Sequence, residues 1–197
     1  MNYFWLYHKD LRDNNWLFYN ETIENGWSLR IRERYAKLRC SKCKKFDEIK
    51  ALKLGLEDNI KLKCKYDIFI TDDGFICVNQ KVKKLLEKLK VKNIKFINIP
   101  NEKQFSILLP KKEAKVDMKK CGMKFYKLCK SCGRYGYTLY NPLLSSIKLP
   151  KSLMQMVFPN INFENGYGRI YIYLLSEDLV NKFKAAKVTG VEYDKAR

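Results

Sequence analysis

The chain has 197 residues, with 40 basic against 21 acidic side chains and a formal charge of +19. Hydrophobic residues make up 46% and aromatics 14%, enough apolar surface to bury a core, so the chain folds as one domain or two small ones. No apolar run approaches the ~18 residues that span a bilayer. The charge invites a nucleic-acid reading, but only eight of the basic residues are arginine. Lysine with abundant isoleucine and asparagine is what AT-rich coding produces, whereas base reading favours arginine's bidentate fork. Residues 111–134 hold nine basic and two acidic side chains, which leaves phosphate-backbone contact open and disfavours sequence-specific readout.

Taken in order, residues 3–7 (Tyr-Phe-Trp-Leu-Tyr) read as a first strand, and Trp16 to Tyr19 as a second. His8, the only histidine, follows the first strand and reads as exposed, without an orienting partner. Gly26 to Arg32 alternates apolar and charged residues, a half-buried strand. Residues 44–66 carry lysines and scattered leucines without a clear period. Asp72-Asp73-Gly74 between apolar runs 67–71 and 75–78 predicts a tight hairpin. Asn79 then caps a helix whose Val82, Leu85, Leu86 and Leu89 share one face, with Lys81, Lys83, Lys84, Lys88 and Lys90 as a solvated face opposite. Ile94 to Ile99 alternates as a strand and stops at Pro100.

Residues 101–128 read as basic and loop-like, with Phe105 to Leu109 a short strand. Tyr137 to Tyr140 is another aromatic strand, and 141–168 shows no period. Arg169 to Leu174 reads as a buried strand. Ser176-Glu177-Asp178 opens the last helix with acid in its first turn, Thr189-Gly190 breaks it, and Val191-Glu192-Tyr193 is a final strand. A shift of 97 superimposes Val82 on Leu179, Leu86 on Phe183, Val91 on Val188, Asn93 on Gly190, Ile94 on Val191 and Phe96 on Tyr193. Each copy reads strand, capped helix, breaker, strand.

The cysteines carry the chemistry. Cys40-Ser41-Lys42-Cys43 and Cys129-Lys130-Ser131-Cys132 are two Cys-x-x-Cys pairs 89 residues apart. Two intervening residues let both thiolates of one turn reach one ion, and four thiolates close a tetrahedral zinc site. Gly133 after the second pair relieves crowding at the turn; Lys44 stands there in the first. Compact ribbons separate their pairs by about 15–20 residues, but closure entropy grows only logarithmically with loop length, so a folded insert is acceptable. A disulfide framework fits poorly: the cysteine count, seven, is odd, and the opening residues lack a basic region, apolar core and cleavage site. A redox pair needs a thiolate near a helix start, which these surroundings do not specify. Structural Zn2+ on Cys40, Cys43, Cys129 and Cys132 is therefore expected. Cys77 reads as core packing, and Cys64 and Cys121 as alternative ligands.

The expected fold is α+β: two strand-helix-strand halves with mainly antiparallel sheet, joined by a split zinc-ribbon-like site of four cysteines. A single domain of residues 1–197 then divides into a first half, 1–100, and a second, 101–197. No Gly-rich phosphate loop, paired-carboxylate motif or triad marks an enzyme, so no catalytic residues are assigned and the protein is expected to be a non-enzymatic binder.

The order Cys40-x-x-Cys43, Phe75-Ile-Cys-Val-Asn79, Cys129-x-x-Cys132-Gly133-Arg134, Tyr173-Leu-Leu-Ser-Glu-Asp-Leu179 and Thr189-Gly190-Val191-Glu-Tyr193 resembles the double-CxxCG immunity proteins of bacterial polymorphic and contact-dependent toxin systems. Its ending is similar to neighbouring immunity families that close on strand, helix, Thr-Gly, strand. Lys44 departs from that pattern. The resemblance implies a small cytoplasmic protein that binds and neutralises one cognate toxin by occlusion, with no shared catalytic residues and a contact surface that varies, so no partner-binding residue is carried over. The high positive charge suits an acidic toxin. The alternative is a zinc-ribbon nucleic-acid binder, a phage or defence accessory protein using residues 111–134 on phosphate backbones.

Overall fold

A computed structural model describes residues 2–8, 15–22, 28–111, 113–117, 119–122, 124–139, 145, 147–149, 156–159 and 173–196. The fold is α+β with mainly antiparallel sheets and few helices. No helix among the described residues is long and apolar enough to cross a membrane.

The first sheet is the insert between the knuckles. Its strands are β4 (Ile68–Ile70), β5 (Ile76–Asn79), β6 (Ile94–Asn98) and β7 (Phe105–Pro110). They lie in the order β4-β5-β7-β6 with every neighbouring pair antiparallel. Helix α2 (Gln80–Lys88) joins β5 to β6. The Asn79 side chain accepts from the Val82 amide at 3.1 Å, satisfying a donor the helix leaves open at its start. Val82 and Leu86 are fully buried, each worth about 1.5–3 kcal/mol of removed apolar surface.

The second sheet repeats this unit. Its strands β1 (Tyr3–His8), β12 (Met156–Pro159), β13 (Tyr173–Ser176) and β14 (Val191–Lys195) lie in the order β12-β13-β1-β14, again antiparallel at each step. β8 (Glu113–Val116) and β11 (Ile147–Lys148) extend the β12 side. Helix α3 (Glu177–Ala185) joins β13 to β14. Adding 97 to the bounds of β5, α2 and β6 gives the bounds of β13, α3 and β14. The turns agree too: Lys90 and Lys187 have φ of 51° and 50°, and Asn93 and Gly190 have 63° and 93°.

The copies differ in the strand between their parallel pair. In the first sheet that strand is β7, which follows β6; in the second it is β1, from the start of the chain. The halves therefore do not divide at residue 100: β1 pairs with β13 and β14, and β7 pairs with β5 and β6. One apolar core nevertheless runs through both, joining Leu6, Tyr173, Leu179 and Phe183 to Phe69, Ile76, Val82 and Leu108.

Several local expectations shift. Leu17 and Phe18 form a bend, and β2 begins only at Tyr19 (Tyr19–Thr22), pairing with β3 (Ser28–Ile31). The bend exists because the Leu17 and Phe18 amides donate to Asp73 Oδ2 at 2.9 and 3.0 Å instead of to a strand. The aperiodic 44–66 region contains α1 (Glu48–Leu54), capped by the Asp47 side chain on the Lys50 amide. The stretch read as a loop also holds β9 (Lys124–Tyr126), which pairs with β10 (Tyr137–Leu139). Ser176 occupies the N-cap of α3 without a side-chain cap hydrogen bond. The expected strand from Arg169 coincides with β13 only at 173–174, and its residues 169–172 lie outside the described ones.

A polar latch ties the halves together. Asp67 Oδ2 accepts from Lys81 Nζ at 2.7 Å, the Thr189 amide at 3.0 Å and the Thr189 hydroxyl at 3.2 Å. Oδ1 accepts from Asn79 at 2.8 Å, and the Ile68 amide donates to the Thr189 carbonyl at 3.1 Å. Burial opposes ionisation of Asp67, but these donors outweigh it and hold the carboxyl below its ordinary value.

Asp73 is the opposite case. Burial raises its pKa to about 6 against hydrogen bonds from Thr71 and the Phe18 and Leu17 amides that lower it. The unfolded carboxyl titrates near 3.8, so between these values the folded state binds more protons. Stability therefore rises as pH falls through about 6 and levels off below 3.8. Relative to Asp73→Asn, the wild type is expected to gain about 1 kcal/mol between roughly pH 7 and pH 5 in urea titrations. Parallel pH dependences in the two proteins would exclude this.

Candidate metal centre

The two knuckles have the same backbone. In the first, the Lys44 amide donates to the Cys40 carbonyl at 2.9 Å and the Cys40 amide to the Lys45 carbonyl at 2.8 Å. In the second, Gly133 donates to Cys129 and Cys129 to Arg134, both at 2.8 Å. Both turns need a left-handed residue after the second cysteine: Gly133 has φ 71°, and Lys44 takes φ 61° despite its Cβ, at a cost of about 1–2 kcal/mol. The departure from glycine thus leaves the turn intact. A bridge between Arg39 and Phe46 closes the first knuckle, and the β9–β10 hairpin flanks the second.

Folding brings the four expected cysteines together. Cys40 Sγ lies 3.8 Å from Cys129 Sγ, and Cys43 Sγ 3.6 Å from Cys132 Sγ. All four sulfurs fall within 4.8 Å of one another, and the group could hold a metal ion. These separations far exceed a disulfide's ~2.05 Å. No other group of three or more His, Cys, Asp or Glu side chains among the described residues is placed to do so. Four sulfur ligands complete a tetrahedral ion, with no position left for water or substrate.

Local electrostatics sort the thiols into two kinds. Backbone amides of Cys43 and Lys42 aim at Cys40 and lower its pKa to about 6; the Cys132 amide likewise lowers Cys129. Burial raises Cys43 to about 12 and also raises Cys132. Each knuckle thus pairs one thiol that ionises more readily than an ordinary cysteine with one that ionises less readily, and a bound cation would favour the thiolate form of both. A cleft of about 230 Å³, lined by Cys40, Cys132, Lys37, Arg39, Ser41 and Ser131, opens onto the cluster and provides an entry path.

The remaining cysteines stand apart. Cys77 and Cys121 are fully buried, Cys77 within β5, and Cys64 packs against the core. Neither Cys64 nor Cys121 belongs to the four-sulfur group, so neither replaces a ligand. His8 ends β1. Two cationic side chains beside the cysteines surround the cluster. Lys45 Nζ donates to the Tyr135 and Gly136 carbonyls at 3.1 and 3.3 Å, and Arg134 Nη1 donates to the Phe46 carbonyl. The buried Arg134 also faces Asp47 at 3.7 Å and Glu48 at 3.8 Å. No protein-family model matches the chain, and no curated protein matches its sequence.

Proposed function

We propose that this chain is a zinc-stabilised immunity protein of the bacterial cytoplasm that binds a cognate toxin and neutralises it by occlusion. The observation that carries the non-enzymatic part is the four-cysteine cluster: its sulfurs would fill every position of a tetrahedral ion, which would brace the fold and leave that centre no site for substrate. Zinc is the ion its chemistry favours. Zn–S bonds of about 2.3 Å in a tetrahedron place sulfurs about 3.8 Å apart, close to the 3.8 and 3.6 Å across the knuckles. The toxin partner rests on the resemblance of the cysteine order and the strand-helix-Thr-Gly-strand ending. A tight interface usually buries aromatic anchors, and of the aromatics Trp5, Trp16, Trp27, Tyr167 and Tyr171, Trp5 is buried at 6% exposure and serves the core. Trp27, Tyr167 and Tyr171 lie outside the described residues, and Trp16 is half-buried.

The test is co-expression with a candidate toxin, a large secreted protein with a toxin tip encoded by a neighbouring gene. Growth should be rescued, the purified pair should bind with roughly nanomolar affinity, about 12 kcal/mol, and protection should survive His8→Ala. Protection lost in His8→Ala while the complex still forms would mean catalysis and end the occlusion mechanism. Duplex DNA binding, if lysine content is only compositional, should vanish near physiological salt as counterions displace phosphate contacts. Nanomolar, sequence-dependent binding at that salt would put the nucleic-acid reading first.

A further inference from the structure

The knuckles are related by a shift of 89, and the relation extends beyond the cysteines. Lys45 and Arg134 are equivalent under it, as are Phe46 and Tyr135. Lys45 donates across to the Tyr135 carbonyl, and Arg134 donates across to the Phe46 carbonyl. The same two residues accept, through their own carbonyls, the amides of Cys40 and Cys129. Each therefore closes its own knuckle with its backbone and reaches the other with its side chain. The bonds are reciprocal, as across a two-fold axis through the cluster. Both side chains are cations, and a divalent ion with four thiolates carries net −2, so they also offset the charge of a loaded centre.

We infer that Lys45 and Arg134 are positioning residues of the metal centre, reciprocal cross-knuckle donors that hold the two cysteine pairs at tetrahedral spacing. Arg134 is further steered by Asp47 and Glu48, so α1, whose N-terminus carries both carboxylates, helps aim it. Outer partners of this kind tune affinity without ligating.

This inference rests on the zinc reading, and its test separates the two. Zn2+ affinity is measured on the full chain by competition with a chromophoric chelator, and Co2+ substitution reports ligand geometry through its tetrathiolate absorption. Lys45→Met keeps the stem and removes the donor. It should weaken Zn2+ binding by about 10–100-fold while the four-sulfur Co2+ spectrum persists, and Lys45→Arg should restore most of the loss. Lys130→Met, an exposed cation within the second knuckle that makes no such crossing, should change affinity by less than about threefold and thus separate position from charge. Arg134→Met removes the cation beside the buried Glu48 and is expected to unfold in part, so Lys45→Met decides. Wild-type affinity in Lys45→Met, or an equal loss in Lys130→Met, overturns the inference and leaves the zinc centre standing. A wild-type chain that takes up no Zn2+ removes the centre itself.

Discussion

Gly190→Ala should destabilise the fold by about 4 kcal/mol or more. Gly190 has φ +93°, and a Cβ there would overlap the Ile68 carbonyl oxygen and Tyr66 Cβ, with Tyr66 Cγ at 2.9 Å. Two of these obstacles cannot rotate away, because the Ile68 backbone is fixed by β4 and by its amide's bond to Thr189. To make room, the 66–68 segment must leave the 187–190 turn, which breaks the Asp67–Thr189 latch. The backbone conformation alone costs about 1–2 kcal/mol, and with the latch lost the total should reach about 4 kcal/mol or more, a large share of a domain's stability of about 5–15 kcal/mol. Gly133→Ala is the control. Its φ is +71° but nothing lies within 4 Å of an added Cβ, so the cost should stay near 1 kcal/mol. Urea unfolding of the two variants checks the contrast, and similar midpoints in both would contradict the close approach at Gly190.

The second large effect is loss of the metal. Purified protein should carry about one zinc per chain, and removing it with a chelator should lower the melting temperature by roughly 10 °C or more, since ion binding at such sites is folding free energy. Cys129→Ser with Cys132→Ser should do the same irreversibly, and co-expressed toxin should then kill. The two sheets would keep their apolar core, so the expected product is a loosened fold with the knuckles apart, seen as early proteolysis between residues 116 and 137. Metal-free protein that melts unchanged would strip the cluster of its bracing role.

Local chemistry made the first sheet readable. The hairpin at Asp73-Gly74, the Asn79 cap and the period from Val82 to Leu89 each act within a few residues, and together they place β5, α2 and β6. The repeat then placed α3 and β14, because the same short-range signals recur there. What stayed hidden depends on distant partners. Asp67 gives no sign that it will meet Thr189, 122 residues away, and Asp73 looks like a turn residue although its carboxylate orders the Leu17–Phe18 bend. Strands β8 and β9 have too little alternation to separate from lysine-rich loop, and β12 is a four-residue run in a stretch with no period. For the candidate metal centre, the spacing of cysteines was enough to name the four side chains that the fold brings together. The crossing donors were within reach as well: the shift that aligns the cysteines also aligns Lys45 with Arg134, both basic and both two residues past the turn.

The strand at the start of the chain has a temporal meaning. β1 pairs Tyr3 with Ser176 and His8 with Val191, so a strand made early is completed only by segments made more than 160 residues later. At about 5–20 residues per second, Trp5 and Leu6, both buried in the finished protein, wait roughly 10–40 s for their partners. The first sheet needs no such delay, since β4 to β7 lie within 43 residues (68–110). Maturation should thus proceed in two stages, a fast local one and a slow closing one limited by non-local pairing. The interval between them is when the aromatic first strand is exposed to aggregation, and when a cell relying on fresh protein has only half of it folded.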